Sequence, residues 1–239
     1  MTTVDASGEA VGRTAQAGVA AEPTAGTDAR WRARIAGLAL IASPILWFVG
    51  ALISRKFAPQ LNGFYGDGDP VSKLNALVGQ QVPWALQSVL FFAGTLAALA
   101  GLVILAGLLR RTRAGGLART GGIGIVAVAV VSAFVFLLRL TAPLGGVRDT
   151  AEVPALLIAA HSGWLNMVTS GLTALTVAVY GAALFWSGRA RLTGALVVAL
   201  SGLVLIALLG RGSLPPVLIY PVAAIIGVRL LFWDATPAR

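Results

Sequence analysis

Few residues in this chain can do chemistry, and most of them lie between long apolar runs. His161 is the single histidine, and there is no cysteine. An imidazole with an unperturbed pKa of about 6.5 can serve as acid or base. Its neighbours in sequence on the same side are Arg148, Asp149 and Glu152. Asp67-Gly68-Asp69-Pro70 offers two carboxylates that could hold a divalent cation. A calcium loop, however, needs about six to eight oxygens at set spacing, so a polar turn is the simpler reading. Arg139 stands near the end of an apolar run, and a charge at membrane depth marks a functional site by default. The commoner fate of such an arginine is to run its stem out to the headgroups, and Arg229 is expected to do so as well. Asn166, Thr169 and Thr173 share one helical face, suited to a polar cavity or to hydrogen bonds across helices. Tyr220-Pro221 could break a helix, as in some transporter sites, although a tolerated kink is simpler.

The absences narrow the field. Without cysteine there are no disulfides, thiolate zinc sites or iron–sulfur clusters, and one histidine cannot build a multi-histidine metal site. No metal or cofactor is therefore expected. The chain has no phosphate-binding Gly-x-x-x-x-Gly-Lys-Ser/Thr motif and no His-Glu-x-x-His motif, which removes ATP hydrolysis by that route and the usual zinc protease. No Asp, Glu, Lys or His falls in the middle of an apolar run, which demotes proton-coupled transport.

These candidates must be positioned by apolar helices. The 239 residues are 57% hydrophobic and only 11% charged, with a mean hydropathy of +0.86. Ordinary soluble domains are about 25% charged. A surface this poor in charge must be covered by lipid. Crossing about 30 Å of hydrocarbon takes about 20 apolar residues, and six runs approach that length: 35–53, 84–109, 121–140, 163–186, 194–209 and 217–233. The expected fold is an all-α, polytopic six-helix transmembrane bundle over residues 30–233. Residues 1–29 lack the basic start and apolar core of a signal peptide and read as a disordered tail. Residues 234–239 form a short tail. Pro44 and Pro221 fall inside spans, and Pro83 suits a helix start. The apolar stretch 153–160 would overextend the fourth helix and reads as interfacial or re-entrant.

Arginine placement sets the orientation. With the N-terminus inside, ten basic residues fall on the inner flanks (Arg30, Arg32, Arg34, Arg110, Arg111, Arg113, Arg119, Arg189, Arg191 and Arg239) against five in the outer loops (Arg55, Lys56, Lys73, Arg148 and Arg211). Positive charge favours the cytoplasm, which predicts both termini inside a plasma membrane. The net charge of +9 is spent on this placement, and no basic domain is left for nucleic acid. Asp67, Asp69, Asp149, Glu152 and His161 then all lie outside, with Arg139 at the outer end of its span.

Arg-x-x-Gly precedes each outward-going helix, at Arg34–Gly37, Arg119–Gly122 and Arg191–Gly194, and Trp84 and Trp164 open two inward-going ones. This suggests three duplicated hairpins, although basic and aromatic residues mark interfaces in any case. Small residues at four-residue spacing (Ser170, Ala174, Ala178 and Ala182; Gly94 and Ala98; Ala97 and Gly101; Ala223 and Gly227) suit close helix packing within the bundle, or between two copies.

With arginine sixteen to two over lysine and heavy use of alanine, the chain over residues 30–233 resembles the uncharacterised six-helix membrane proteins of actinobacteria. That resemblance rests on helix count, loop lengths and charge placement, and implies no activity or site residue. The function expected is a non-enzymatic accessory, sensory or small-molecule-handling component. Its partners would be the bilayer, a small apolar or lipid-like ligand, and a homodimer mate or other membrane subunit. Two alternatives are a membrane-embedded enzyme acting on a lipid or isoprenoid at the outer face, with Asp67, Asp69, Arg139, Asp149, Glu152 and His161 as its candidates, and the permease subunit of an exporter with a separate ATPase.

Overall fold

A computed structural model describes residues 24–57, 80–140, 163–211 and 218–233. Six helices account for nearly all of them: α1 (Thr24–Phe57), α2 (Gln81–Leu109), α3 (Gly115–Leu140), α4 (Gly163–Trp186), α5 (Arg191–Arg211) and α6 (Ile219–Leu231). The first five are long and apolar enough to cross a membrane. The 13 residues of α6 span only about 20 Å at 1.5 Å per residue, short of a hydrocarbon core of about 30 Å. Residues 58–79, 141–162 and 212–217 lie outside the described set, and with them the expected re-entrant stretch 153–160.

The helices ends agree with local chemistry. Pro83 falls in the first turn of α2, where a missing N–H costs nothing. Pro221 falls in the first turn of α6, so it opens that helix. The sequence expects Pro221 inside a span beginning at 217; the described helix begins at Ile219, and residues 212–217 lie outside the described set. Pro44 does sit inside α1.

Helix packing follows chain order around a ring. α1 packs on α2, α2 on α3, α3 on α4, α4 on α5, α5 on α6, and α6 on α1. Across the middle, α2, α4 and α6 also touch one another, whereas no two of α1, α3 and α5 pack along each other. The even-numbered helices thus form an inner triangle, and each odd-numbered helix bridges two of its corners. Burial agrees: about half of the apolar window of α2 and of α4 is buried, against a third or less for α1, α3 and α5.

The outer helices turn large apolar side chains outward, among them Ile123 and Val126 on α3 and Leu203, Ile206 and Leu209 on α5. A soluble monomer rarely exposes so wide an apolar surface, but lipid covers it without cost. The core beneath is aliphatic and aromatic, with Leu40, Leu102, Leu105, Tyr180, Leu184, Tyr220, Ile226 and Leu230 almost fully enclosed.

Close approach of backbones holds two of the ring's seams shut. A Cβ on Gly37 would lie 2.7 Å from the Gly227 carbonyl oxygen, joining α1 to α6. A Cβ on Gly194 would lie 2.5 Å from the Gly181 carbonyl oxygen, joining α5 to α4. Gly37 and Gly194 are two of the three Arg-x-x-Gly glycines. The third, Gly122, has nothing within 4 Å; α3 instead turns Gly121 and Gly124 toward Tyr180 and Thr176 of α4. Gly94 and Gly101 of α2 meet Trp47 and Leu40 of α1, so these two glycines serve packing within the chain.

Two turns repeat one device. Thr112 Oγ1 donates to the Leu109 carbonyl at 2.8 Å and accepts from Ala114 N–H at 3.2 Å. Ser187 Oγ donates to the Leu184 carbonyl at 2.8 Å and accepts from Arg189 N–H at 3.4 Å. In each case the hydroxyl donates to a carbonyl at a helix end, and that of Leu109 accepts from Thr112 N–H as well. Gly188, at φ 76°, completes the second turn in the left-handed region that favours glycine. At this same end of the bundle, Arg229 donates to the Phe232 carbonyl at 3.0 Å and the Arg189 carbonyl at 3.4 Å, and Arg189 lies over the Trp233 ring. Cations meet helix C-terminal carbonyls there, the end where positive charge is favoured.

Candidate functional site

Four helices bring the site together at the end of the bundle away from those two turns. Arg139 is the penultimate residue of α3, and Trp84, Gln87 and Ser88 occupy the first turns of α2. Arg139 is 6% exposed. Its guanidinium turns inward: Nε donates to Ser88 Oγ at 3.2 Å and Nη2 to Gln87 Oε1 at 3.5 Å. The guanidinium carbon lies 4.1 Å from the Trp84 ring centroid and 5.7 Å from that of Phe91. The Trp84 indole N–H donates back to the Arg139 carbonyl at 2.8 Å. Expected to run out to the headgroups, Arg139 instead folds into the bundle. The physical reason is that α2 presents an aromatic face, a hydroxyl and an amide oxygen within its reach.

Below Arg139 a recess opens between α1, α2, α3 and α4. Its walls are aromatic (Trp47, Phe91, Phe92, Phe136) and hydroxylic (Ser88, Thr95, Ser132, Thr169), with Val135 and Arg139 beside them. It holds about 40 Å³ of enclosed space, room for about three waters at ~10–15 Å³ each. It is not sealed, and its mouth opens to the outside of the bundle. Phe92 and Phe136, both half-buried, stack at 4.3 Å between α2 and α3 and flank its lateral side. Trp47 stacks on Phe91 at 4.0 Å and on Tyr220 at 5.1 Å to form the floor.

The hydroxyl protons are unequally committed. Thr169 donates to the Leu165 carbonyl at 2.8 Å and Thr95 to the Phe91 carbonyl at 3.0 Å. Because the Thr95 proton is spent, the 2.8 Å contact with Tyr220 has the phenol as donor. Ser88 accepts from Arg139, which leaves its own proton unspent. Ser132 Oγ is buried with no hydrogen-bond partner. A second space of about 10 Å³, below the first and sharing Thr95, is bounded by Thr173, Thr176 and Tyr220. Thr173 and Thr176 each donate to the carbonyl one turn back, at 2.7 Å.

Of the residues expected to matter, Arg139 is at the centre of this site. His161, Asp149, Glu152, Asp67 and Asp69 lie outside the described residues, as does Arg148. Thr169 lines the recess and Thr173 the smaller, apolar space below it, and both hydroxyls donate to carbonyls of their own helix rather than across helices. Ser132 and Ser88 were not foreseen, although Ser132 lies seven residues before Arg139 and so on its helical face. Among the described residues no group of three or more His, Cys, Asp or Glu could hold a metal. Asp28 is their single carboxylate, at the far end of α1. The recess can therefore bind through hydroxyls, one cation and aromatic faces.

Fold and recess together define an all-α, apolar bundle suited to a membrane, with a mostly apolar recess, carrying a few hydroxyls and Arg139, near one end of the described residues. Comparison with family models, curated proteins and solved structures finds no match.

Proposed function

We propose that this protein is a non-enzymatic, multi-pass component of a bacterial plasma membrane that holds a small, largely apolar molecule in the recess beside Arg139. The observation that carries the reading is the recess itself. Aromatic walls with a small number of placed polar groups are usual features of a binding pocket. Its described lining has a cation and hydroxyls but no carboxylate, imidazole or thiol, which favours holding a molecule over transforming one. The ten arginines gathered at the opposite end of the bundle (Arg30, Arg32, Arg34, Arg110, Arg111, Arg113, Arg119, Arg189, Arg191 and Arg229) support a cytoplasmic position for that end, and so an outward-facing recess.

The test is extraction. Protein purified in mild detergent is stripped with organic solvent, and the extract is compared by mass spectrometry with that of Ser132→Phe, which fills the recess. A small molecule recovered with the natural protein and lost with the variant is expected. Indistinguishable extracts from two equally folded proteins would remove the reading.

A further inference from the structure

We infer that the recess takes a neutral, flat molecule bearing carbonyl oxygens, a quinone-type head being the simplest member of the class, with any apolar tail leaving between α2 and α3. This rests on the reading of the recess as a small-molecule site and names its ligand class. The argument is an accounting of donors. Thr95 and Thr169 have committed their protons to backbone carbonyls. Arg139 is engaged by Ser88, Gln87 and the Trp84 ring, so its charge serves the fold and is not the occupant's main partner.

What stays uncommitted is neutral and donating. The Ser132 hydroxyl is enclosed without a partner, as is the indole N–H of Trp47 in the floor, and the proton of the second hydroxyl, Ser88, is unspent. A buried hydroxyl left unsatisfied is costly, so Ser132 points to an acceptor that arrives from outside. Ser132 and Arg139 are seven residues apart on α3, about 10 Å along the axis, and Ser88 sits beside Arg139. The two hydroxyl donors therefore stand toward opposite ends of the recess. A ring with an acceptor oxygen on each side suits that separation. Trp47, Phe91, Phe92 and Phe136 supply flat walls, and aromatic faces stack well on another ring. The stacked Phe92–Phe136 pair, half-exposed at the lateral seam, is where a tail would pass into lipid.

The experiment measures affinity in detergent micelles, corrected for partition into empty micelles. It uses menadione, the carbonyl-free methylnaphthalene and the anionic naphthoate. Menadione is expected to bind about tenfold tighter than methylnaphthalene. Ser132→Ala is expected to weaken menadione about five- to tenfold, the loss of one hydrogen bond, and to leave methylnaphthalene unchanged. Ser132→Thr, which keeps the hydroxyl, is expected to retain most of the affinity.

Equal binding of menadione and methylnaphthalene would overturn the carbonyl assignment while leaving a small-molecule site in place. Tighter binding of naphthoate would overturn it in favour of an anion. If none of the three responds to Ser132→Phe, the space holds water only, and both this inference and the site reading fall.

Discussion

Arg139 and Trp84 grip each other twice: the guanidinium lies 4.1 Å above the indole ring, and the indole N–H donates to the Arg139 carbonyl at 2.8 Å. One contact uses the charge and the other the backbone, so the pair fastens the start of α2 to the end of α3 even if one element is lost. Trp84→Phe keeps a ring under the cation but loses the N–H, and should cost about 1 kcal/mol. Trp84→Ala also loses the packing and the cation–π contact, and should cost about 3–5 kcal/mol. Thermal unfolding in detergent would rank the two, and equal effects would refute the double grip.

Ser132 and Thr95 should respond in opposite ways. Ser132→Ala removes a buried hydroxyl that no protein group satisfies, so the empty protein should gain up to ~1 kcal/mol. Thr95→Val removes the acceptor of the Tyr220 phenol and strands that group, costing ~1–3 kcal/mol. Unfolding midpoints of ligand-free protein decide this. Destabilisation by Ser132→Ala would mean that its hydroxyl already has a partner.

Glycines separate by what they face. Gly194→Ala places a methyl against the Gly181 carbonyl and the Phe185 backbone, and should cost roughly 1–3 kcal/mol through forced separation of α4 and α5. Gly122→Ala and Gly107→Ala meet nothing within 4 Å, and should be neutral or stabilising by up to ~1 kcal/mol, as alanine exceeds glycine in helices. Similar losses at all three would show that α4 and α5 do not meet as described.

Orientation can be read by labelling, since the chain has no native cysteine. Ala114 sits in the right turn but is 2% exposed, so a thiol there would be silent on either side. Gly116 is exposed at that end, and Val82, 79% exposed, is at the other. Val82→Cys should react with an impermeant reagent in intact cells, and Gly116→Cys only after permeabilisation. The converse pattern would invert the protein.

Long-range charge and hydropathy made the bundle legible in the sequence. Each of the six apolar runs corresponds to a helix, because lipid demands that backbone groups be satisfied within the segment. What the runs do not encode is which helix lies inside. Helices α2 and α3 are both apolar almost all round, yet α2 belongs to the inner triangle and α3 to the outer set. Membrane helices show little contrast between a lipid-facing and a protein-facing side, since both are apolar. The site was half visible. Arg139 stood out as a charge in an apolar run, but its inward turn depends on Trp84, Gln87 and Ser88, about fifty residues away. Ser132 looked like any other small residue of a packing face, and only enclosure distinguishes its hydroxyl.

The three seams at which an odd-numbered helix leans on the even-numbered helix before it in the ring have had unequal fates. Two are zipped by paired glycines, Gly37 with Gly227 and Gly194 with Gly181. At the α2–α3 seam the corresponding Gly122 meets nothing, and the bulky pairs Phe92–Phe136 and Trp84–Arg139 stand between the helices. The recess lies along the third of these seams, where aromatic and cationic side chains rather than paired glycines stand between the helices. Substitution at Trp84, Phe92, Phe136 or Arg139 alone would reshape that recess, with the other four helices left as they are.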